Sequence, residues 1–100
     1  MESGEWNEVI GKKRYSTATA TLIADDAFWD GHNWERRGRN KFLFRTPNGN
    51  HFVVYRTQWQ GEKSHLEALT QDDALTLWEE LPEKHVEFEE AFPGVTVVDA

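Results

Sequence analysis

The feature that most constrains the fold is a hairpin signal within residues 38–63, GRNKFLFRTPNGNHFVVYRTQWQGEK. Pro47 sets φ at the first turn position, Asn48 tolerates the second, and Gly49 supplies the positive φ that follows. This chemistry is typical of a three-residue loop that joins two antiparallel strands through a type I turn and a bulge. The segment therefore predicts a strand pair at the centre of the fold.

The predicted turn also fixes which side chains share a face of the strand pair. With Phe44 opposite Phe52, alternation along each strand assigns every residue to one of two faces. One face carries Phe42, Phe44, Phe52 and Val54, and the other carries Lys41, Leu43, Arg45, His51, Val53, Tyr55, Thr57 and Trp59. Because both faces contain apolar residues, each needs cover from the chain itself or from a partner.

Other segments predict further strands and one loop. YSTATATLIA at 15–24 alternates strictly, is rich in threonine and lacks Gly and Pro, which predicts one strand. SHLEAL at 64–69 predicts the third strand of a meander, and VTVV at 95–98 predicts a last strand. Residues 25–38 have no usable period and are predicted to be a loop whose three aromatic residues fold back onto the core. These aromatics are Phe28, Trp29 and Trp34.

The clearest helix signal follows Thr70, whose hydroxyl can cap the backbone N–H of Asp73. An apolar stripe with helical spacing comes next, and Pro82 ends it. The stripe consists of Ala74, Leu77, Trp78 and Leu81. Residues 82–94 predict a further short helix or strand, anchored by Val86, Phe88 and Phe92. The predicted fold is α+β, with a small antiparallel meander packed against one main helix.

Length and composition limit the class of protein. A chain of 100 residues predicts a single domain over 1–100, with 1–14 and 93–100 loosely ordered. The absence of cysteine excludes disulfides, thiolate zinc sites and cysteine nucleophiles. No apolar run approaches the roughly 18 residues of a membrane helix, and the first residues lack a signal-peptide pattern. We therefore expect a cytoplasmic protein without a membrane partner.

The net charge of −7 is distributed unevenly along the chain. Residues 36–63 contain seven basic residues and only Glu62 as an acid, whereas residues 64–100 contain ten acids and only Lys84 as a base. The two regions either fold onto each other and partly neutralise, or form separate patches with different partners.

Three segments, KKRYSTATATLIA, FLFRTPNGNHFVVY and LTQDDALTLWEELP, together resemble small bacterial proteins of phage and mobile-element neighbourhoods. Those proteins share a tyrosine-threonine-alanine strand, an arginine-threonine-x-x-glycine-x-x-phenylalanine hairpin and an acidic, alanine-containing helix. The resemblance covers roughly residues 11–81, and the chain departs from it at DDAFWDGHNWERR and in the acidic tail. It implies a small accessory protein and carries over no catalytic residue.

Signals for catalysis or cofactor binding are missing from the sequence. His32 stands near three aspartates of the predicted loop, Asp25, Asp26 and Asp30. The chain has no His-x-x-x-His pair and no EF-hand spacing for a metal ion. No serine lies in a G-x-S-x-G elbow, and no glycine-rich loop is present to cradle a phosphate. We therefore expect no metal, no cofactor and no enzymatic activity.

Two binding functions remain open. The first is a non-enzymatic accessory protein, inhibitor or antitoxin-like in function, that binds another protein. Its acidic side chains would mimic the phosphates of nucleic acid and so block a nucleic-acid-binding enzyme such as a host nuclease. Its predicted acidic residues are Asp72, Asp73, Glu79, Glu80, Glu83, Glu87, Glu89 and Glu90, and its predicted hairpin residues are Arg39, Lys41, Leu43, Arg45, Val53, Tyr55 and Trp59. The second is a single-stranded nucleic-acid binder, with bases stacked on Tyr55 and Trp59 between basic side chains. Its basic residues are Arg39, Lys41 and Arg45.

A homodimer is also predicted as an open alternative. It would form through an uncovered sheet face or through the strand at 15–24.

Overall fold

A computed structural model of the chain describes residues 6–26, 39–57, 61 and 63–98. Its elements are β1 Asn7–Ile10, β2 Lys13–Ser16, β3 Thr21–Asp25, β4 Arg39–Arg45, β5 His51–Thr57, β6 His65–Leu69, α1 Gln71–Glu80, β7 Glu83–Lys84 and α2 Phe88–Ala91. Strands β3 to β7 form an antiparallel sheet in the order β6-β5-β4-β3-β7, and β1 pairs with β2 as a separate hairpin. The predicted α+β fold with one main helix is confirmed.

The central hairpin of β4 and β5 has the predicted turn and register. The backbone N–H of Thr46 donates to the Asn50 carbonyl at 2.7 Å, and that of Gly49 donates to the Thr46 carbonyl at 2.9 Å. Gly49 has a φ of 87°, as the turn requires. Along the strands, Phe44 lies opposite Phe52, Phe42 opposite Val54 and Lys41 opposite Tyr55.

One face of the sheet is covered by the two helices. Thr70 caps α1 as predicted, since its Oγ1 accepts from the backbone N–H of Asp73 at 3.1 Å. The predicted apolar stripe is buried against the strands, and Ala91 of α2 and its C-cap residue Phe92 add to the same cluster. This first core contains Ile23, Ala24, Leu43, Val53, Ala74, Leu77, Trp78, Leu81, Ala91 and Phe92.

The opposite face of the sheet is covered by the β1–β2 hairpin. Gly11 and Lys12 have φ values of 58° and 67°, which is typical of the type I′ turn that joins tightly paired strands. Tyr15 of this hairpin packs edge-on against Phe52, with ring centroids 5.6 Å apart. The second core contains Tyr15, Phe52, Val54 and Leu66, with Trp6, Ile10, Ala20, Phe42 and Phe44 packed around it. The central hairpin therefore lies between two layers of the same chain.

The prediction of one strand over residues 15–24 is wrong, because the chain turns at 17–20. The Ser16 carbonyl accepts from the backbone N–H of Ala20 at 3.1 Å, and its hydroxyl accepts from that of Ala18 at 3.2 Å. Short hydroxyl side chains offer the backbone such local partners in place of a ladder. The alternating pattern is thus shared between β2 and β3, which lie in different sheets.

Two further predictions about the chain ends need correction. Residues 7–14, expected to be loosely ordered, form β1, the turn that follows it and the first half of β2. Residues 95–98, expected to be a strand, are not in one. A strand needs a ladder partner as well as β-branched residues, and no described strand pairs with this segment. The predicted aromatic loop, including Phe28, Trp29 and Trp34, lies outside the described residues.

The cap of α1 makes a testable contribution to stability. We expect Thr70→Ala to lower the free energy of unfolding by about 1 kcal/mol, because the backbone N–H of Asp73 loses its acceptor. Thr76→Ala on the same helix is the matched control and should change it by less than about 0.5 kcal/mol. Thr76 is exposed and its hydroxyl bonds back to the Asp72 carbonyl at 3.1 Å. Urea denaturation measures both, and equal effects would contradict the capping role.

Candidate protein-binding face

The outer face of α1 is acidic. At 100° per residue, Asp72, Asp73, Glu79 and Glu80 fall within one arc opposite the buried stripe of the helix. All four side chains are exposed. The amphipathic pattern that buries Leu77 and Trp78 therefore also concentrates the negative charge on the solvent side.

Three more of the predicted acids lie close to this face in the fold. Glu87 precedes α2 as its N-cap residue, Glu89 and Glu90 belong to its first turn, and all three are exposed. The two helices are in contact, since Trp78 and Phe88 meet edge-on with ring centroids 6.2 Å apart. We call the surface formed by these seven acids the acidic layer.

The eighth predicted acid, Glu83, does not belong to this surface. It is half-buried on β7 and lies opposite Asp25, which in turn lies opposite Phe42 of the second core. Glu83 is therefore on the other face of the sheet, and its predicted place among the partner-binding acids is wrong.

Few basic groups neutralise the acidic layer. Lys41 Nζ lies 3.7 Å from Glu80 Oε1, and both side chains are well exposed, so this ion pair contributes at most about 1 kcal/mol. Lys84 Nζ donates to the Leu81 carbonyl and lies 5.4 Å from the centroid of the Trp78 ring. Within the described part of the chain, none of the other six acids of this layer forms an ion pair. Most of the negative charge therefore faces solvent.

The opposite layer of the molecule carries positive charge that the sequence analysis did not single out. Lys12, Lys13 and Arg14 lie at the exposed end of the β1–β2 hairpin. Lys13 and Arg14 bond to the amide oxygens of Asn50 and Asn7, at 3.5 and 3.0 Å, rather than to carboxylates. The run KKR was visible in the sequence, but only the hairpin places it on the far side of the sheet from the helices.

The structure separates the predicted hairpin residues into different environments. Leu43 and Val53 are 0% exposed beneath the helices, so the prediction that they contact a partner is wrong. Tyr55 is half-buried and stacks on His65 with ring centroids 4.7 Å apart. Arg45 is half-buried, and its Nε has no hydrogen-bond partner. The side chain of Arg39 and all of Trp59 lie outside the described residues.

The same observation bears on the two predicted dimer surfaces. Among the described residues, helices cover one face of the sheet and the β1–β2 hairpin covers the other, so the predicted open sheet face is not found there. The predicted strand at 15–24 is divided between β2 and β3, and β3 is paired on both edges.

Two titratable groups beside the helices have shifted pKa values. His51 is buried, and its Nε2 lies 2.8 Å from the Ala91 carbonyl, which can only accept, so Nε2 carries the proton. Burial lowers the pKa of His51 below 6.5, and the Arg45 charge adds to this, while the bond to Ala91 opposes it. Burial chiefly raises the pKa of Tyr55 above 10, with the charges of Glu67 and Glu80 adding to it. A neutral buried histidine and a protonated tyrosine favour structural roles.

The predicted loop acids that the structure describes also have structural contacts. Asp25 Oδ2 lies 2.8 Å from His85 Nε2, which ties the segment after β7 to β3. Asp26 Oδ1 accepts from the backbone N–H of Lys41 at 2.8 Å. Among the residues that the structure describes, no three acidic or histidine side chains are grouped to hold a metal ion. His32 and Asp30 lie outside this part of the chain.

Comparisons with protein-family models, with curated proteins and with solved structures found no match to this chain. The resemblance to small phage and mobile-element proteins therefore stays a prediction. Within the described residues, no helix is both long and apolar enough to cross a membrane.

Proposed function

We propose that this protein is a non-enzymatic inhibitor or antitoxin-like accessory that binds another protein through its acidic layer. The observation that carries this proposal is that seven acids share the acidic layer and that, among the described residues, Glu80 is the only one of them in an ion pair. Burying unpaired carboxylates is costly, so a partner must offer compensating positive charge. The partner is thus a protein with a basic site, such as an enzyme that binds nucleic acid.

The spacing of the acids supports mimicry of a phosphate backbone. Asp72 and Glu79 are seven residues apart on α1, which corresponds to about 10.5 Å along the helix axis. This is close to the rise of three nucleotides at about 3.4 Å each. Arginine and lysine side chains arranged for phosphates can therefore meet carboxylates on α1.

The alternative, a single-stranded nucleic-acid binder, receives less support from the geometry. Of its predicted residues, Lys41, Arg45 and Tyr55 lie on the face of the sheet that the helices cover. Lys41 is paired with Glu80, and Tyr55 is stacked on His65 rather than presented to a base. Phosphate approaching this face would also meet the acidic layer.

Affinity capture from a nuclease-treated bacterial lysate, followed by titration of the captured protein, tests the proposal. We expect Glu79→Gln/Glu90→Gln to weaken binding by at least about tenfold, because two unpaired charges of the acidic layer are removed. The control, Glu8→Gln, removes a charge at an exposed position on β1, in the layer on the other side of the sheet, and should alter affinity by less than about twofold.

Salt dependence separates mimicry from other kinds of protein binding. Exposed charges are screened over about 8 Å at physiological ionic strength, so affinity should fall steadily as salt rises. An affinity that does not change with salt would contradict phosphate mimicry but would still be consistent with binding to a protein. Capture of nucleic acid alone, lost after nuclease treatment, would overturn the proposal in favour of the alternative.

A further inference from the structure

The two edge strands of the five-stranded sheet, β7 and β6, differ in whether the sheet edge is covered. On the β3 side, β7 pairs with Ala24 and Asp25, and the His85 backbone N–H donates to the Ile23 carbonyl at 2.9 Å. On the other side, β6 pairs only with β5, and among the described residues nothing forms backbone hydrogen bonds with its outer edge. An open edge of this kind is a template for another strand.

The same molecule contains a strand-like segment without a partner. Residues 95–98, VTVV, are all β-branched and are typical of a strand. Val97 and Val98 are 59% and 83% exposed, and with Val9 they are the three exposed large hydrophobic residues of the described chain. A segment of four residues spans about 13 Å as a strand, which covers most of the five-residue β6.

Residues 95–98 begin near the end of the sheet that contains Leu69, the last residue of β6. Phe92 stacks on His51 with ring centroids 4.6 Å apart, and His51 lies directly opposite Leu69, the last residue of β6. Val95 is half-buried against the first core, and its backbone N–H donates to the Phe92 carbonyl at 3.1 Å. The chain is anchored up to Val95, and the exposed valines follow immediately.

We propose that residues 95–98 of one copy add as a strand to the open β6 edge of a second copy, and that the exchange is reciprocal. Such an exchange closes both edges and is the two-fold arrangement typical of small homodimers. The segment carries no charge, so it adds to β6 without opposing Glu67. A β6–β6 pairing centred on Glu67 would instead place two carboxylates opposite each other.

Sedimentation of the full chain over a range of concentrations tests this proposal. We expect a monomer–dimer equilibrium whose dissociation constant rises by at least about tenfold in Val97→Pro, because proline removes a ladder donor. Since Val97 is exposed and outside any strand, this variant should unfold at the same urea concentration as the parent when both are measured at a protein concentration where the parent is monomeric. Val9→Thr, at the exposed valine of the opposite layer, is the control and should dimerise normally.

Hydrogen exchange and a peptide identify the edge involved. Amides of β6 should gain protection as concentration rises. At a concentration where the chain is monomeric, the peptide PGVTVVDA should protect the same amides, whereas the same peptide with proline in place of its second valine, Val97, should not. A chain that stays monomeric at every concentration would overturn the proposal. So would a dimer that Val97→Pro leaves unchanged, which would indicate β6–β6 or other pairing.

Discussion

Phe92→Ala is expected to lower the free energy of unfolding by about 3–5 kcal/mol, a large part of the 5–15 kcal/mol typical of a domain of this size. Phe92 is 1% exposed and joins three aromatic neighbours, Trp78, Phe88 and His51. Removing its ring leaves a cavity where α1, α2 and β5 meet. The helix layer would lose the residue that holds α2 in place.

Phe88→Ala is the matched control for this substitution. Phe88 belongs to the same helix, but it is only half-buried, so its removal should cost clearly less. Chemical denaturation followed by circular dichroism gives both values, and hydrogen exchange reports α2 separately. If both variants lose the same stability, Phe92 is not the principal anchor of α2.

The second large effect is a loss of stability on acidification that depends on His51. Its pKa is lowered in the folded protein, so between that value and the unfolded value near 6.5 the unfolded chain binds more protons. Stability is therefore fully present above about pH 6.5 and is lost as pH falls toward the folded pKa, by at most about 1.4 kcal/mol per pH unit. Protonation of His51 places a positive charge near that of Arg45 and against the ring of Phe92.

His51→Gln isolates this contribution from those of the carboxylates. Glutamine can still donate to the Ala91 carbonyl but does not titrate, so the variant should lose less stability than the parent between about pH 7 and pH 5. If His51→Gln and the parent show the same pH dependence in urea denaturation, the buried neutral histidine is not the cause.

Separation of charge across the sheet bears on how partners approach. Packed layers lie about 10 Å apart, so the acidic layer and the bases at 12–14 are about 20 Å apart. At physiological salt this distance exceeds two screening lengths of about 8 Å. A basic partner can therefore meet the acidic layer with little repulsion from the bases behind it.

The sequence alone determined the features that depend on neighbouring residues. The PNG turn determined the register of β4 and β5, because Pro47 and Gly49 restrict the backbone locally. Thr70 and Pro82 similarly marked the limits of α1, and the 3.6-residue period identified its buried stripe. The outward position of the acids on α1 followed from that same period.

Only the tertiary structure decided which layer covers which face. Alternation showed apolar residues on both faces of the central hairpin but did not show that α1 buries Leu43 and Val53, or that β1 and β2 bury Phe52. The turn at 17–20 and the unpaired segment at 95–98 likewise depend on whether a ladder partner is within reach. Strand propensity is local, whereas pairing and burial are contacts between distant residues, and this is why the sequence left them open.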